Sequence, residues 1–218
     1  MLLNAYLVLV AAINLCNVAG QSPLFAASMY GRCDIVKCLL SSGADINLRD
    51  VDGQSPLSLA IRREHCDVLK CLLSSGAHIN LHDKSRQSLL FAASMFGHCD
   101  VIKCLLGSSA DINLHDKRGQ SPFFAASMCG HCDVVKCLFS SGADINLCDA
   151  AGQSPLFAAS MSGHCDVVKC LLSSGADINL CDKRGQSPSN EASYYGYYNI
   201  VRLLTAHRAL RDENDSNA

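Results

Sequence analysis

Apolar and polar positions along this chain follow one rhythm, and the rhythm restarts every 33 residues. It is clearest from Gly152 to Arg184, GQSPLFAASMSGHCDVVKCLLSSGADINLCDKR. Ser154-Pro155 reads as a helix start: the hydroxyl accepts from a free backbone amide, and proline at the first helical position wastes no donor. Leu156, Phe157, Ala158 and Ala159 then form a short apolar helix whose alanines permit close helix–helix approach. Gly163 interrupts it, and a second helix is predicted to begin near Asp166, whose carboxylate suits the positive end of a helix dipole. Cys165, Val167, Val168, Cys170, Leu171 and Leu172 cover most of that helix, with only Asp166, Lys169 and Ser173 breaking the belt. A helix apolar nearly all round is expected to be buried on several sides. Gly175 supplies the left-handed residue that ends it, and Ala176 to Arg184 has no helical period.

Nearly the same words begin at Gly20, Gly53, Arg86, Gly119 and Gly185. A fixed period of this size predicts an array of stacked units, each too small to bury its apolar face alone. The expected organisation is six units at 20–52, 53–85, 86–118, 119–151, 152–184 and 185–211, with a disordered tail at 212–218. The last unit reads as a cap, because Ser189, Asn190 and Glu191 replace the apolar block while Leu203, Leu204 and Leu210 close the core. The unit at 86–118 lacks the opening glycine (Arg86) and the proline (Leu89), and Ser109 stands where Gly175 ends the reference helix. It is expected to be the softest interior unit. In the unit at 53–85, Glu64 takes a glycine position. Residues 1–19 read as the second half of a truncated unit, because Ile13-Asn14-Leu15-Cys16 matches Ile178-Asn179-Leu180-Cys181 in register. That half-unit would leave Leu3, Tyr6 and Leu7 exposed. The alternative is a secretory signal, although no basic residue precedes the apolar run.

The words Gly-Gln-Ser-Pro-Leu-Phe-Ala-Ala, Gly-His-Cys-Asp-Val-Val-Lys-Cys-Leu-Leu and Gly-Ala-Asp-Ile-Asn-Leu resemble the ankyrin repeat over nearly the whole chain. The resemblance implies an all-α solenoid of stacked helix–turn–helix units joined by extended β-turn loops. Two departures recur. Phe25, Phe91, Phe124 and Phe157 replace a histidine of the family pattern, which puts its hydrogen bond to the serine or threonine in doubt. Cysteine also replaces leucine at two positions per unit.

The chain has 218 residues, 49% of them hydrophobic, and a formal net charge of −2. That balance gives no electrostatic reason to expect nucleic acid. Lys37, Lys70, Lys103, Lys136 and Lys169 recur on the polar stripe of the second helix and read as a solvated face. Ten of the 14 cysteines form the pairs Cys33/Cys38, Cys66/Cys71, Cys99/Cys104, Cys132/Cys137 and Cys165/Cys170. Five helical positions is about 140° of rotation, so the sulfurs within a pair point apart and neither bind zinc together nor bridge. They read instead as small buried hydrophobes. Cys129, Cys148 and Cys181 are expected in turns and more reactive. This usage suits a reducing compartment, cytoplasm or nucleus, with secretion the alternative if residues 1–19 are a signal. No membrane span, metal or cofactor is expected.

There is no catalytic constellation, and the chain is not expected to be an enzyme. His65, His98, His131 and His164 recur at one position per unit, which in the family supports the turn between helices. The resemblance implies a monomeric scaffold that binds a partner protein through loop tips and the ends of first helices. Those ends are Met29/Tyr30, Arg62/Arg63, Met95/Phe96, Met128/Cys129, Met161/Ser162 and Tyr194/Tyr195. Methionine is adaptable, and tyrosine and arginine are enriched in binding hot spots. The alternative is that the array forms the recognition arm of a larger enzyme or ubiquitin-ligase assembly, or a secreted effector. By resemblance alone, Asn47, Asn80, Asn113, Asn146 and Asn179 are positions that a dioxygenase could hydroxylate.

Overall fold

A computed structural model of the chain describes residues 12–80, 82–83 and 86–216. The part of the N-terminal half-unit that holds Leu3, Tyr6 and Leu7 therefore lies outside the described residues. The described residues hold twelve helices in six pairs. They are α1 (Pro23–Met29) and α2 (Cys33–Ser41), α3 (Pro56–Arg62) and α4 (Cys66–Ser74), α5 (Leu89–Phe96) and α6 (Cys99–Gly107). Then follow α7 (Pro122–Cys129) and α8 (Cys132–Ser140), α9 (Pro155–Met161) and α10 (Cys165–Ser173), α11 (Pro188–Tyr194) and α12 (Tyr198–Ser216). The chain divides into two compact units, one of residues up to Ala93 with Asp100–Asp111, the other of Ser94–Cys99 with Ile112 onward. Within the first, α1 packs on α3 and α2 on α4. Within the second, α7, α9 and α11 pack in succession, as do α8, α10 and α12. First helices therefore lie on first helices and second on second.

Every first helix opens on a serine. The Ser22, Ser121 and Ser154 hydroxyls each accept the amide of Phe25, Phe124 and Phe157 at 3.1 Å. The cap thus bonds backbone, and the phenylalanine that replaces histidine drives its ring into the core, where Phe25, Phe124 and Phe157 are buried. Burying such a side chain is worth about 1.5–3 kcal/mol. Ser88 makes the same bond to Phe91 at 3.1 Å although Leu89 replaces the proline.

The second helices start one residue earlier than the dipole argument suggests, at Cys165 in the reference pair. The first five end in a Schellman-type turn, in which, for the reference pair, the Ala176 amide reaches back to the Leu171 carbonyl at 3.0 Å across a left-handed Gly175 (φ +89°). Ser109 holds the same geometry at φ +66°, with the Ala110 amide on the Leu105 carbonyl at 3.0 Å. Arg86 and Glu64 are likewise left-handed, at φ +60° and +57°. All three lie at the positions where the sequence lacks the expected glycine.

Three sequence expectations need correction. The paired cysteines are not core residues: Val167, Val168, Leu171 and Leu172 are buried, but Cys165 and Cys170 stay half-buried and Cys38 is exposed. The apolar belt therefore faces inward on its branched residues and leaves sulfur along its edges. Cys129 ends helix α7 rather than lying in a turn, and burial pushes the thiols of Cys129 and Cys148 above their ordinary range, which works against enhanced reactivity. Finally, Leu204 joins the core but Leu210 is exposed, and α12 continues to Ser216, into the segment expected to lack structure.

Candidate functional site

The ends of the first helices are positioned by a bond from the following pair. Nε2 of His65 lies 3.1 Å from the Met29 carbonyl oxygen, His131 makes the same contact to Met95 at 3.0 Å and His164 to Met128 at 2.9 Å. Each ring also covers the glycine two residues beyond that methionine. A Cβ built on Gly130 would lie 2.6 Å from His164 Nδ1, and one on Gly97 would lie 2.7 Å from His131 Nδ1. At the cap, Tyr197 takes the place of histidine against Gly163. His65, His131 and His164 are thus framework residues that lock a neighbour's turn. The sequence shows their period but not that the contact crosses from one pair to the next.

A second ladder runs through the asparagines. Asn14, Asn47 and Asn80 accept with Oδ1 the backbone amides of Asp45, His78 and Asp111, at 2.8, 3.1 and 3.2 Å. Asn146 accepts from Asp177 at 2.9 Å, and Asn179 receives the Arg208 guanidinium at 3.2 Å. Loop tips also join through backbone, with the Val51 amide donating to Ala19, Ala150 to Arg118 and Lys183 to Ala151 at 2.8–3.0 Å. The sequence signals neither ladder beyond its strict period.

In each loop an aspartate folds the turn. Asp182 Oδ1 accepts the Arg184 and Gln186 amides at 2.9 and 2.8 Å, and its Oδ2 takes Arg184 Nε at 3.0 Å. Burial alone would push this carboxyl up, but the Gln186 amide and the Arg184 side chain and amide outweigh it and hold the group below its ordinary value. The guanidinium continues to Glu191 at 3.4 Å.

On this frame stand the helix-end side chains. Met29, Met95, Met128 and Met161 are half-buried, so their side chains partly seal the first helices while their carbonyls serve the ladder. The residues that follow them project further. Tyr30 is 66% exposed and Phe96 39%, and Arg62 and Arg63 are exposed. Cys129 and Ser162 are half-buried and small. Tyr194 is 82% exposed; its ring meets Tyr195 edge-on at 5.1 Å, and Tyr195 stacks on Tyr197 at 6.3 Å. On the second helices the lysines pair locally, Lys103 with Asp100 at 3.3 Å and Lys169 with Asp166 at 3.7 Å. These pairs are exposed and worth little.

Among the described residues no group of three or more His, Cys, Asp or Glu is placed to hold a metal ion. No described helix is long and apolar enough to cross a membrane.

A family model for ankyrin repeats (three copies) matches residues 2–83, 65–149, 89–182 and 133–217. No curated protein matches the chain. Among solved structures, an ankyrin repeat domain from Acinetobacter baumannii AYE is similar at 28% identity and a TM-score of 0.77, over 85% of this chain and 97% of that one. Ankyrin repeats are generally protein-interaction modules. With helix pairs of this form and family matches along nearly its full length, the chain belongs to the ankyrin-repeat family, and its fold is an all-α repeat solenoid.

Proposed function

We propose that this chain is a non-catalytic scaffold that grips a partner protein through the ends of its first helices and its loop tips. One observation carries the reading. The helix-end position changes from pair to pair (Tyr30, Arg63, Phe96, Cys129, Ser162, Tyr195) while the framework around it largely repeats, with the next residue glycine in five of the six pairs and the one after it histidine in four. Aromatic groups exposed on a held backbone lose little conformational entropy when they bind. The partner takes Phe96 and Tyr194 as apolar anchors, with Met95, Met128 and Met161 lining the floor between them. The arrangement favours a protein over nucleic acid, since the chain carries a formal net charge of −2. Fourteen free thiols suit a cytosolic or nuclear setting.

The test is site-directed. A photo-crosslinking residue at Phe96 or at Tyr194 should capture the same protein, and one at Lys136 on α8 should not. Combining Met95→Glu with Met128→Glu should reduce capture more than tenfold. Equal capture from Lys136, or capture untouched by the double substitution, would refute the proposal. The asparagine ladder adds a condition on hydroxylation. Because Oδ1 of Asn47, Asn80 and Asn146 is engaged, a dioxygenase must take these residues from opened loops. Peptides bearing one added oxygen on asparagine should appear more readily from a destabilised variant than from the intact fold.

A further inference from the structure

The cysteines that point apart within a helix come together between helices. Cys33 Sγ lies 3.9 Å from the carbonyl oxygen of Asp67 in the next second helix. In an α-helix that carbonyl accepts from the amide four residues on, which here belongs to Cys71. The Cys33 and Cys71 side chains lie close enough to interact, and both line one shallow groove with Asp34, Lys37, Asp67 and Lys70. The arrangement recurs. Cys132 Sγ lies 4.0 Å from the Asp166 carbonyl oxygen, four residues before Cys170, and the two thiols are close enough to interact. Cys66 and Cys104 lie near enough to interact electrostatically. Each couple joins the first residue of one second helix to the sixth residue of the next, an offset of 38 positions. Cys99 and Cys137 stand at the same offset. Applied to Cys165, the offset reaches Leu203, and these two residues do line one groove. No cysteine of the five helix pairs reaches Cys38 at that offset, so Cys38 and Cys165 stand outside the four couples.

We propose that these inter-repeat thiol couples are oxidation sites, and that a low-molecular-weight disulfide converts each couple into a disulfide that staples neighbouring second helices. The step is ordinary exchange. One cysteine, as thiolate, attacks a sulfur of the small disulfide, forming a mixed disulfide and releasing one small thiolate, which takes up a proton. The second cysteine, as thiolate, attacks the protein sulfur of the mixed disulfide, forms the protein S–S bond and releases the other small thiol. Two protein S–H groups are oxidised, and the small disulfide is reduced to two thiols. Closing the bond sets the sulfurs about 2.0 Å apart, so adjacent second helices draw together. The half-exposed positions of Cys33, Cys71, Cys132 and Cys170 admit the oxidant, which a leucine in the same place could not use. Burial foremost, with the partner sulfur, raises the thiols of Cys71 and Cys170, while Lys37 and Lys136 partly offset this. A raised thiol presents less thiolate, which slows the attacking step.

The full chain, incubated with excess oxidised glutathione and blocked with N-ethylmaleimide, is mapped by non-reducing peptide mass spectrometry. The expected products are the linked peptides Cys33–Cys71, Cys66–Cys104 and Cys132–Cys170, each lighter by two hydrogens. Cys38 and Cys165 should carry only maleimide or glutathione. The urea midpoint of the oxidised chain should rise and return after reduction. Cys71→Ser should abolish the first link, leave Cys33 glutathionylated and spare the Cys132–Cys170 link. Bridges within a helix (Cys33–Cys38), bridges between chains, mixed disulfides alone, or the same set of links from urea-unfolded chain would each overturn the proposal.

Discussion

Gly130→Ala is the sharpest probe of how neighbouring helix pairs are held. Gly130 sits at φ +81°, and a Cβ there would lie 2.6, 2.8 and 2.9 Å from Nδ1, Cε1 and Cγ of His164. Two costs follow. A non-glycine residue in the left-handed region costs about 1–2 kcal/mol. The ring must also move away, which strains or breaks the 2.9 Å contact between His164 Nε2 and the Met128 carbonyl, worth about 1 kcal/mol. Together the loss is about 2–3 kcal/mol. Gly142 provides the control, since it is also left-handed at φ +91° but a Cβ there meets nothing within 4 Å. Gly142→Ala should then cost only the backbone contribution, about 1–2 kcal/mol. The gap between the two variants isolates the ring contact. Urea unfolding of the full chain followed by circular dichroism gives both values, and a double-mutant cycle with His164→Ala closes the test. In the His164→Ala background, Gly130→Ala should fall to the cost of Gly142→Ala. Equal costs for the two glycines in the parent chain, or a cycle with no coupling, would refute the cross-pair lock.

Three further outcomes are expected. Ser109→Gly and Arg86→Gly relieve left-handed strain at φ +66° and +60°, so each should stabilise by up to about 1 kcal/mol; native-state hydrogen exchange should be faster in 86–118 than in 152–184 and should slow in these variants. Asn146→Ala removes the acceptor of the Asp177 amide and should destabilise by about 1–2 kcal/mol in thermal unfolding, with Asn146→Asp costing less because it keeps an oxygen in place. Asp182 is held below its ordinary value, so its contribution is fully present above the unfolded aspartate range and lost as pH falls through the folded value; the stability gap between the parent and Asp182→Asn should be constant near neutrality and shrink in acid.

Much of the architecture was legible because its determinants are local. Ser-Pro openings, branched apolar faces and left-handed glycines act within one unit, and each is repeated in full view. Even the defects at Glu64, Arg86 and Ser109 could be read, since a missing glycine in a fixed register marks the strained residue. The cysteines were misjudged for a physical reason. Periodicity shows that Cys165 and Cys170 flank the apolar stripe, but whether a flank is core or edge depends on how closely the next helix packs. The reach of the histidines and asparagines was hidden likewise, because their partners lie 31–36 residues away on backbone atoms, and carbonyls and amides leave no trace in the choice of side chain.

That hidden reach accounts for which positions vary. His131 must fit Gly97 and Asn146 must meet the amide of Asp177, so a residue in one pair is constrained by the copy beside it. A substitution in one copy spoils a contact that also belongs to its neighbour. Such positions therefore hold to one identity along the series, whether or not they face water. The helix-end residues after the methionines are not held to one identity along the series. At Met29, Met95 and Met128 the backbone is held by the next pair's histidine, while the side chain that follows ranges from Tyr30 through Phe96 to Cys129. Substitution there leaves the stack intact, so the freedom to diversify and the rigidity needed for recognition meet at the same residues. A scaffold built on this division would tolerate Phe96→Ala or Tyr194→Ala with little loss of stability yet lose its partner, and equilibrium unfolding set beside the crosslinking yield would separate the two effects. A loss of several kcal/mol from either substitution would show these side chains to be part of the frame instead.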